Sequence, residues 1–123
     1  MDEAGVNLFG EKGSLTTDFG QDFAKRTLLL LRKIVKEFQS ETHHNYNLEA
    51  TPAEGTSYRL AKKDRDDYPE IYTSGEEVPY YTNSSQLPVM YTQDIFETLE
   101  KQDELQSMYT GGTVLHLYLG ERV

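Results

Sequence analysis

The sequence predicts an α/β fold with mostly parallel strands. Three observations lead there: a long run with apolar residues at helical spacing, short apolar segments set between such runs, and a closing stretch that is apolar on both faces. In chain order the reading is helix, strand, helix, short strand, helix, strand, and alternation of that kind builds a parallel sheet from crossover units. At 123 residues the chain suits one domain with a core of its own and is too short for two comfortable ones.

Residues 1–16 carry three glycines and mixed polarity without a period, which predicts a lead-in loop or frayed end with little function. From Thr17 the pattern changes. Asp18 can cap, and Phe23, Leu30, Ile34 and Phe38 recur at helical spacing through "DFAKRTLLLLRKIVKEFQSE". Leu28, Leu29, Leu31 and Val35 widen the apolar band beyond the roughly 100° that one covered face needs, so this helix is expected to pack on two sides. "NYNLEA", residues 45–50, alternates polar and apolar before a proline turn and reads as a short strand.

A second helix then starts near Thr56 or Ser57 and ends before Pro69. "EVPYYTNSSQLPV" gives a brief extended piece at Tyr80 and Tyr81, followed by a polar loop between Pro79 and Pro88. Thr92 caps a third helix, "QDIFETLEKQDELQSMY", in which Ile95 and Leu99 lie one turn apart. "TGGTVLHLYLG" closes the order as an interior strand covered from both sides.

Lys and Arg number 12 against 21 Asp and Glu, a net charge of −9, which disfavours nucleic acid or an anionic membrane as a partner. Any phosphate site must therefore be local. The absence of cysteine removes disulfides, thiolate zinc sites and thiol nucleophiles. The acidic start is unlike a signal peptide, and the longest aliphatic run, residues 28–31, is far too short to span a bilayer. A soluble, cytoplasmic protein is expected.

Three polar clusters are candidate sites. In "TPAEGTS", residues 51–57, a strand, a Gly/Thr/Ser turn and a helix start follow one another, so free N–H groups and the positive helix end converge on one spot. Spacing alone favours the simpler role, Thr56 or Ser57 capping the helix. Glu54 would repel phosphate unless it faces away, or could act on a substrate hydroxyl. Thr82, Asn83, Ser84, Ser85 and Gln86 set five hydrogen-bonding side chains between prolines, suited to a polar ligand or to an ordinary turn. Gly111 and Gly112 allow close backbone approach to a ligand, or merely end the preceding helix. His43 and His44 are expected in solvent and His116 as a hydrogen-bonded core residue; no metal site is expected. "KKDRDDYPE" reads as a solvated helix end.

Taken together, "YNLEATPAEGTSYRLAKKD", "PYYTNSSQLPV", "DIFETLEKQDELQSMYTGGTVLHLYLGE" and the helix ending "EFQSET" resemble the anaerobic, class III ribonucleoside-triphosphate reductases, which are glycyl-radical enzymes. The resemblance covers nearly the whole chain. It implies part of a ten-stranded α/β barrel spanning residues 17–123. In that family a glycyl radical, installed by an iron–sulfur/S-adenosylmethionine activating enzyme, generates a thiyl radical that attacks the ribose, and zinc sits on a separate segment. It also implies that Thr51, Ala53, Gly55, Thr56 and Ser57 hold substrate phosphates. Arg59 is expected to assist there, and Glu54, Asn83, Ser84, Ser85, Gln86, Gly111 and Gly112 are the candidates for the substrate pocket. The family's cysteines and glycyl-radical segment have no match here. The chain is accordingly expected to be part of a longer, homo-oligomeric enzyme, with no catalytic residue of its own and no turnover in isolation.

The alternative is a non-catalytic acidic α/β module that binds a phosphorylated ligand or a protein partner. Cysteine-rich and glycyl-radical coding sequence directly downstream would favour the reductase, and its absence the module. A purely structural role gains only if no ligand binds.

Overall fold

Helices dominate the computed structural model, which describes residues 1–89, 91, 92 and 94–117. In order they are α1 (Asp2–Phe9), α2 (Asp18–Thr42), α3 (Glu54–Asp67) and α4 (Ile95–Gln106), with a 3-10 turn at Glu11–Gly13 after α1. Among the described residues no sheet joins them. Strand pairing there consists of two isolated bridges, Glu49 with Gly112 in parallel and Ser74 with Tyr80 in antiparallel sense. The expected α/β fold, and the reading of residues 17–123 as part of an α/β barrel, is therefore overturned: the architecture is helical.

Each bridge is bracketed by residues that cannot extend a ladder. Pro52 has no N–H to offer beyond Ala50, and Gly112 sits at φ 107°, outside the extended region, so pairing stops after a single step. At the second bridge Pro79 precedes Tyr80, and Gly75 at φ 80° turns the chain away after Ser74. The alternation in residues 45–50 and the two-sided apolarity of residues 113–117 are present in the sequence, yet neither segment forms a strand. The rest of the expected closing strand lies outside the described residues.

Where a lead-in loop was expected, α1 begins with Asp2 and Glu3 almost fully buried. Asp2 Oδ1 accepts hydrogen bonds from Ser14 Oγ and the Leu15 N–H, both at 2.7 Å. Behind it α1 crosses the 3-10 turn at backbone contact. A Cβ on Gly5 would lie 2.0 Å from the Gly13 carbonyl oxygen, and one on Gly13 2.0 Å from that of Gly5, so only glycine fits either position.

The long helix α2 matches expectation closely, although Thr17 rather than Asp18 is its cap. Thr17 Oγ1 accepts from the Gly20 N–H at 3.0 Å, and His43 closes the helix in a left-handed conformation, φ 56°. Its buried residues Gly20, Ala24 and Leu28 recur every four positions, a single row along one face. Ala24 and Leu28 meet Leu15, Leu105 and Met108 in the core, against which Leu48, Leu87 and Tyr109 pack. Leu29, Leu30, Leu31, Ile34 and Phe38 stay exposed, so this chain covers the wide apolar band on one side only.

α4 starts from Asp94, whose Oδ1 accepts from the Phe96 N–H at 2.9 Å, while Thr92 instead receives the Asp94 N–H at 3.1 Å. Gln102 and Leu105 are its buried residues. Among the described residues, no helix is long and apolar enough to cross a membrane.

Candidate functional site

The approach to α3 is held from two sides. On one, the Leu48 N–H donates to Thr110 Oγ1 at 3.0 Å, the Gly111 N–H to the Leu48 carbonyl at 2.8 Å, and the Ala50 N–H to the Gly112 carbonyl at 3.1 Å. On the other, the Ala53 N–H donates to Asn83 Oδ1 at 3.2 Å. The Ser57 hydroxyl donates to the Tyr81 carbonyl and accepts from the Tyr81 N–H at 2.8 Å. Gln86 Nε2 reaches the Val114 carbonyl at 2.8 Å and closes the circuit. All three polar clusters singled out in the sequence thus meet around the start of one helix.

Between α3 and the loop after Tyr81 lies a cavity of about 290 Å³, lined by Glu54, Ser57, Tyr80, Tyr81, Thr82, Asn83, Gln86, Leu87 and Val89. Its lining mixes polar side chains with two tyrosines and the aliphatic Leu87 and Val89. The helix start beside it is uncapped, because the N-cap residue is Ala53 and no side chain takes the cap position's place. The N–H groups of Glu54, Gly55 and Thr56 accordingly have no intrahelical acceptor and carry the positive end of the helix dipole. A Cβ built on Gly55 meets nothing within 4 Å, so the backbone there faces open space. Arg59, one turn further along, is exposed and makes no ion pair among the described residues.

The expected site residues divide. Glu54, Ser57, Asn83 and Gln86 line the cavity. Thr51, Gly55 and Thr56 are exposed at its approach, and half-buried Ala53 is fixed by Asn83. Ser84, at φ 47°, does not line it, and its carbonyl accepts from the chain's amino terminus at 2.7 Å. Ser85 faces the core instead: its Oγ accepts from the Tyr109 hydroxyl at 2.9 Å and its carbonyl from Gln102 Nε2 at 3.2 Å. Gly111 and Gly112 brace the approach to α3 without lining the cavity. His43 and His44 are exposed, whereas His116 Nε2 is buried without a hydrogen-bond partner among the described residues, contrary to the expected bonded histidine.

Tyr80 and Tyr81, expected only as a brief extended piece, both line the cavity. The Tyr81 hydroxyl donates to Asp64 Oδ2 at 2.6 Å. Burial, reinforced by that hydrogen bond, pushes its phenol up to about 12. An aromatic pair directly beside a hydroxyl-rich loop was the available signal. Glu3, which touches the same loop from α1, left none.

Uncapped helix N–H groups beside an amide- and hydroxyl-bearing wall make a site suited to an anionic group on a polar ligand. The chain belongs to the anaerobic ribonucleoside-triphosphate reductase family, whose model matches residues 1–123. It is similar to the anaerobic ribonucleoside-triphosphate reductase of Enterobacteria phage T4, at 26% identity over 100 residues, which cover 81% of this chain and 16% of that protein. The chain thus spans only a small part of the length of the curated relative it matches.

Proposed function

We propose that this chain is a substrate-binding segment of an anaerobic ribonucleoside-triphosphate reductase, and that the start of α3 takes the phosphates of the ribonucleotide. The observation that carries this reading is the uncapped first turn of α3, open to space at Gly55 and adjoining a cavity that Ser57, Asn83 and Gln86 help to line. On a chain of net charge −9, a helix N-terminus creates a local positive spot without a basic side chain, and Arg59 adds charge; because the Glu54 carboxylate lines the cavity and would oppose an anion there, the phosphates are placed on the open Gly55 side of the turn. Thr56 supplies an exposed hydroxyl, while Ser57, committed to Tyr81, shapes the turn. Family membership favours this reading over a non-catalytic acidic module.

For the whole protein we propose reduction of ribonucleoside triphosphates to the deoxy form. The glycyl radical, its activating enzyme and zinc belong in this proposal to the parent enzyme. The chain has no cysteine, and among the described residues no group of three His, Cys, Asp or Glu could hold a metal ion, so these residues do not fit such groups.

The test is calorimetric titration of CTP and of cytidine into the chain and into its Gly55→Val variant. A Cβ at Gly55 meets nothing within 4 Å, so valine projects into open space that an anion would need. Charge-assisted hydrogen bonds are each worth on the order of 1.5–3 kcal/mol, so CTP affinity should fall by about tenfold or more while cytidine is indifferent. Equal losses for both ligands, or none for CTP, would show that the turn only starts a helix.

A further inference from the structure

Glu3 sits in the first turn of α1, where an acidic side chain ordinarily stays in water near the helix dipole. Here it is only 3% exposed and turned into the protein. A single oxygen, Oε1, accepts from the Thr82 N–H and Thr82 Oγ1, both at 2.7 Å, and from Ser74 Oγ at 2.6 Å. A carboxylate is withdrawn from water at this depth only when donors replace its hydration, and two of the three donors come from one residue.

That residue opens the loop that walls the cavity. Thr82 follows Tyr81, whose N–H and carbonyl are both engaged by Ser57 of α3. The backbone at Tyr81 and Thr82 is therefore gripped by α3 on one side and by α1 on the other, immediately before Asn83, which binds the Ala53 N–H. We propose that Glu3 is a positioning residue for this cavity, fixing through Thr82 the wall that carries Tyr81, Asn83 and Gln86 against the start of α3. The inference rests on reading the cavity as a ligand site and adds the group that holds its wall.

Asn7 provides the control. It also anchors α1, accepting the Tyr72 N–H at its Oδ1 and donating from Nδ2 to the Tyr72 carbonyl, both at 2.9 Å, and it does not line the cavity. Losing either anchor loosens α1, but only Glu3 touches the wall.

The experiment measures amide hydrogen exchange and CTP affinity in the chain and its Glu3→Met, Glu3→Gln and Asn7→Ala variants. The reporters are the amides of Tyr81 and Gln86, bonded to Ser57 Oγ and to the Asn83 carbonyl at 3.0 Å, neither of which the substitutions remove. In Glu3→Met both should exchange about tenfold faster or more, with the Leu28 amide of α2 moving no further than in Asn7→Ala, and CTP affinity should fall about tenfold. Glutamine keeps an acceptor oxygen and should restore exchange and affinity together. If Tyr81 and Gln86 merely follow Leu28, or glutamine fails as methionine does, the positioning role is overturned. If the unmodified chain does not bind CTP, the phosphate reading falls while the exchange pattern still decides the role of Glu3. If Glu3→Met does not fold, Thr82→Val replaces it: faster exchange at Gln86 but not Leu28 supports the proposal, and parity overturns it.

Discussion

Tyr81 and Ser57 hold each other through both backbone groups of the tyrosine: its N–H donates to Ser57 Oγ at 2.8 Å, and the hydroxyl returns its hydrogen to the Tyr81 carbonyl. One hydroxyl thereby satisfies both backbone groups of a residue that would otherwise look to a neighbouring strand. The same arrangement commits the Ser57 hydroxyl to Tyr81, so the proposed phosphate site would rest on the backbone of the first turn and on Thr56.

Ser57→Ala should therefore act on stability. It strips partners from the N–H and carbonyl of a half-buried residue, and a loss of about 1–3 kcal/mol is expected in urea unfolding. Thr56→Val, at an exposed position, should leave the unfolding midpoint nearly unchanged and weaken CTP binding instead.

Two glycines should answer alanine in opposite ways. Gly13→Ala places a Cβ 2.0 Å from the Gly5 carbonyl oxygen, backbone that cannot yield cheaply, and should lower stability by about 1–3 kcal/mol. Gly55→Ala meets nothing within 4 Å and lies inside α3, so stability should rise by about 0.4–1 kcal/mol. Thermal unfolding of the two variants side by side separates them.

Tyr81 should give the chain an alkaline limb. Its phenol is pushed up from the ordinary 10.0 to about 12, so the fold favours the neutral form. That contribution is fully present below pH 10 and is lost as the pH rises through the folded value near 12. Burial pushes the Tyr109 phenol up as well, so ultraviolet titration should show late-ionising phenols with Tyr81 among them, and Tyr81→Phe should remove its share of the late transition and of the pH dependence.

The uncovered face of α2 should drive self-association. Leu30 is 56% exposed and Phe38 51%, on a helix where Leu29, Leu31 and Ile34 are exposed as well. Light scattering should show mass rising with concentration, and Leu30→Glu with Phe38→Glu should abolish the rise. A monomer at all concentrations in the unmodified chain would contradict it.

What could be read from the sequence was what neighbours in the chain decide. α2 was legible because its period and its start at Thr17 are local. α3 begins at Glu54, ahead of the hydroxyls expected to start it, because Ala53 takes its partner from Asn83 in a distant loop. The polar clusters were visible as compositions, but their meeting depends on bonds such as Leu48 to Thr110, which span 62 residues. The strands failed for the same reason: alternation marks a segment that could pair, while Pro52 and Gly112 decide that it pairs once. Glu3 was illegible because an acid in a first turn looks the same whether it faces water or a buried threonine.

The clasp between Leu48 and Thr110 also sets a timetable for biosynthesis. A ribosome adds about 5–20 residues per second, so the 62 residues between the two halves separate their appearance by roughly 3–12 s. From the completion of α3 at Asp67 until Thr110 appears, α3 exists in the nascent polypeptide with its leading segment untethered on the Gly111 side. A message truncated before Thr110 would release a chain that has every residue of α3 and still lacks the contact that aims it.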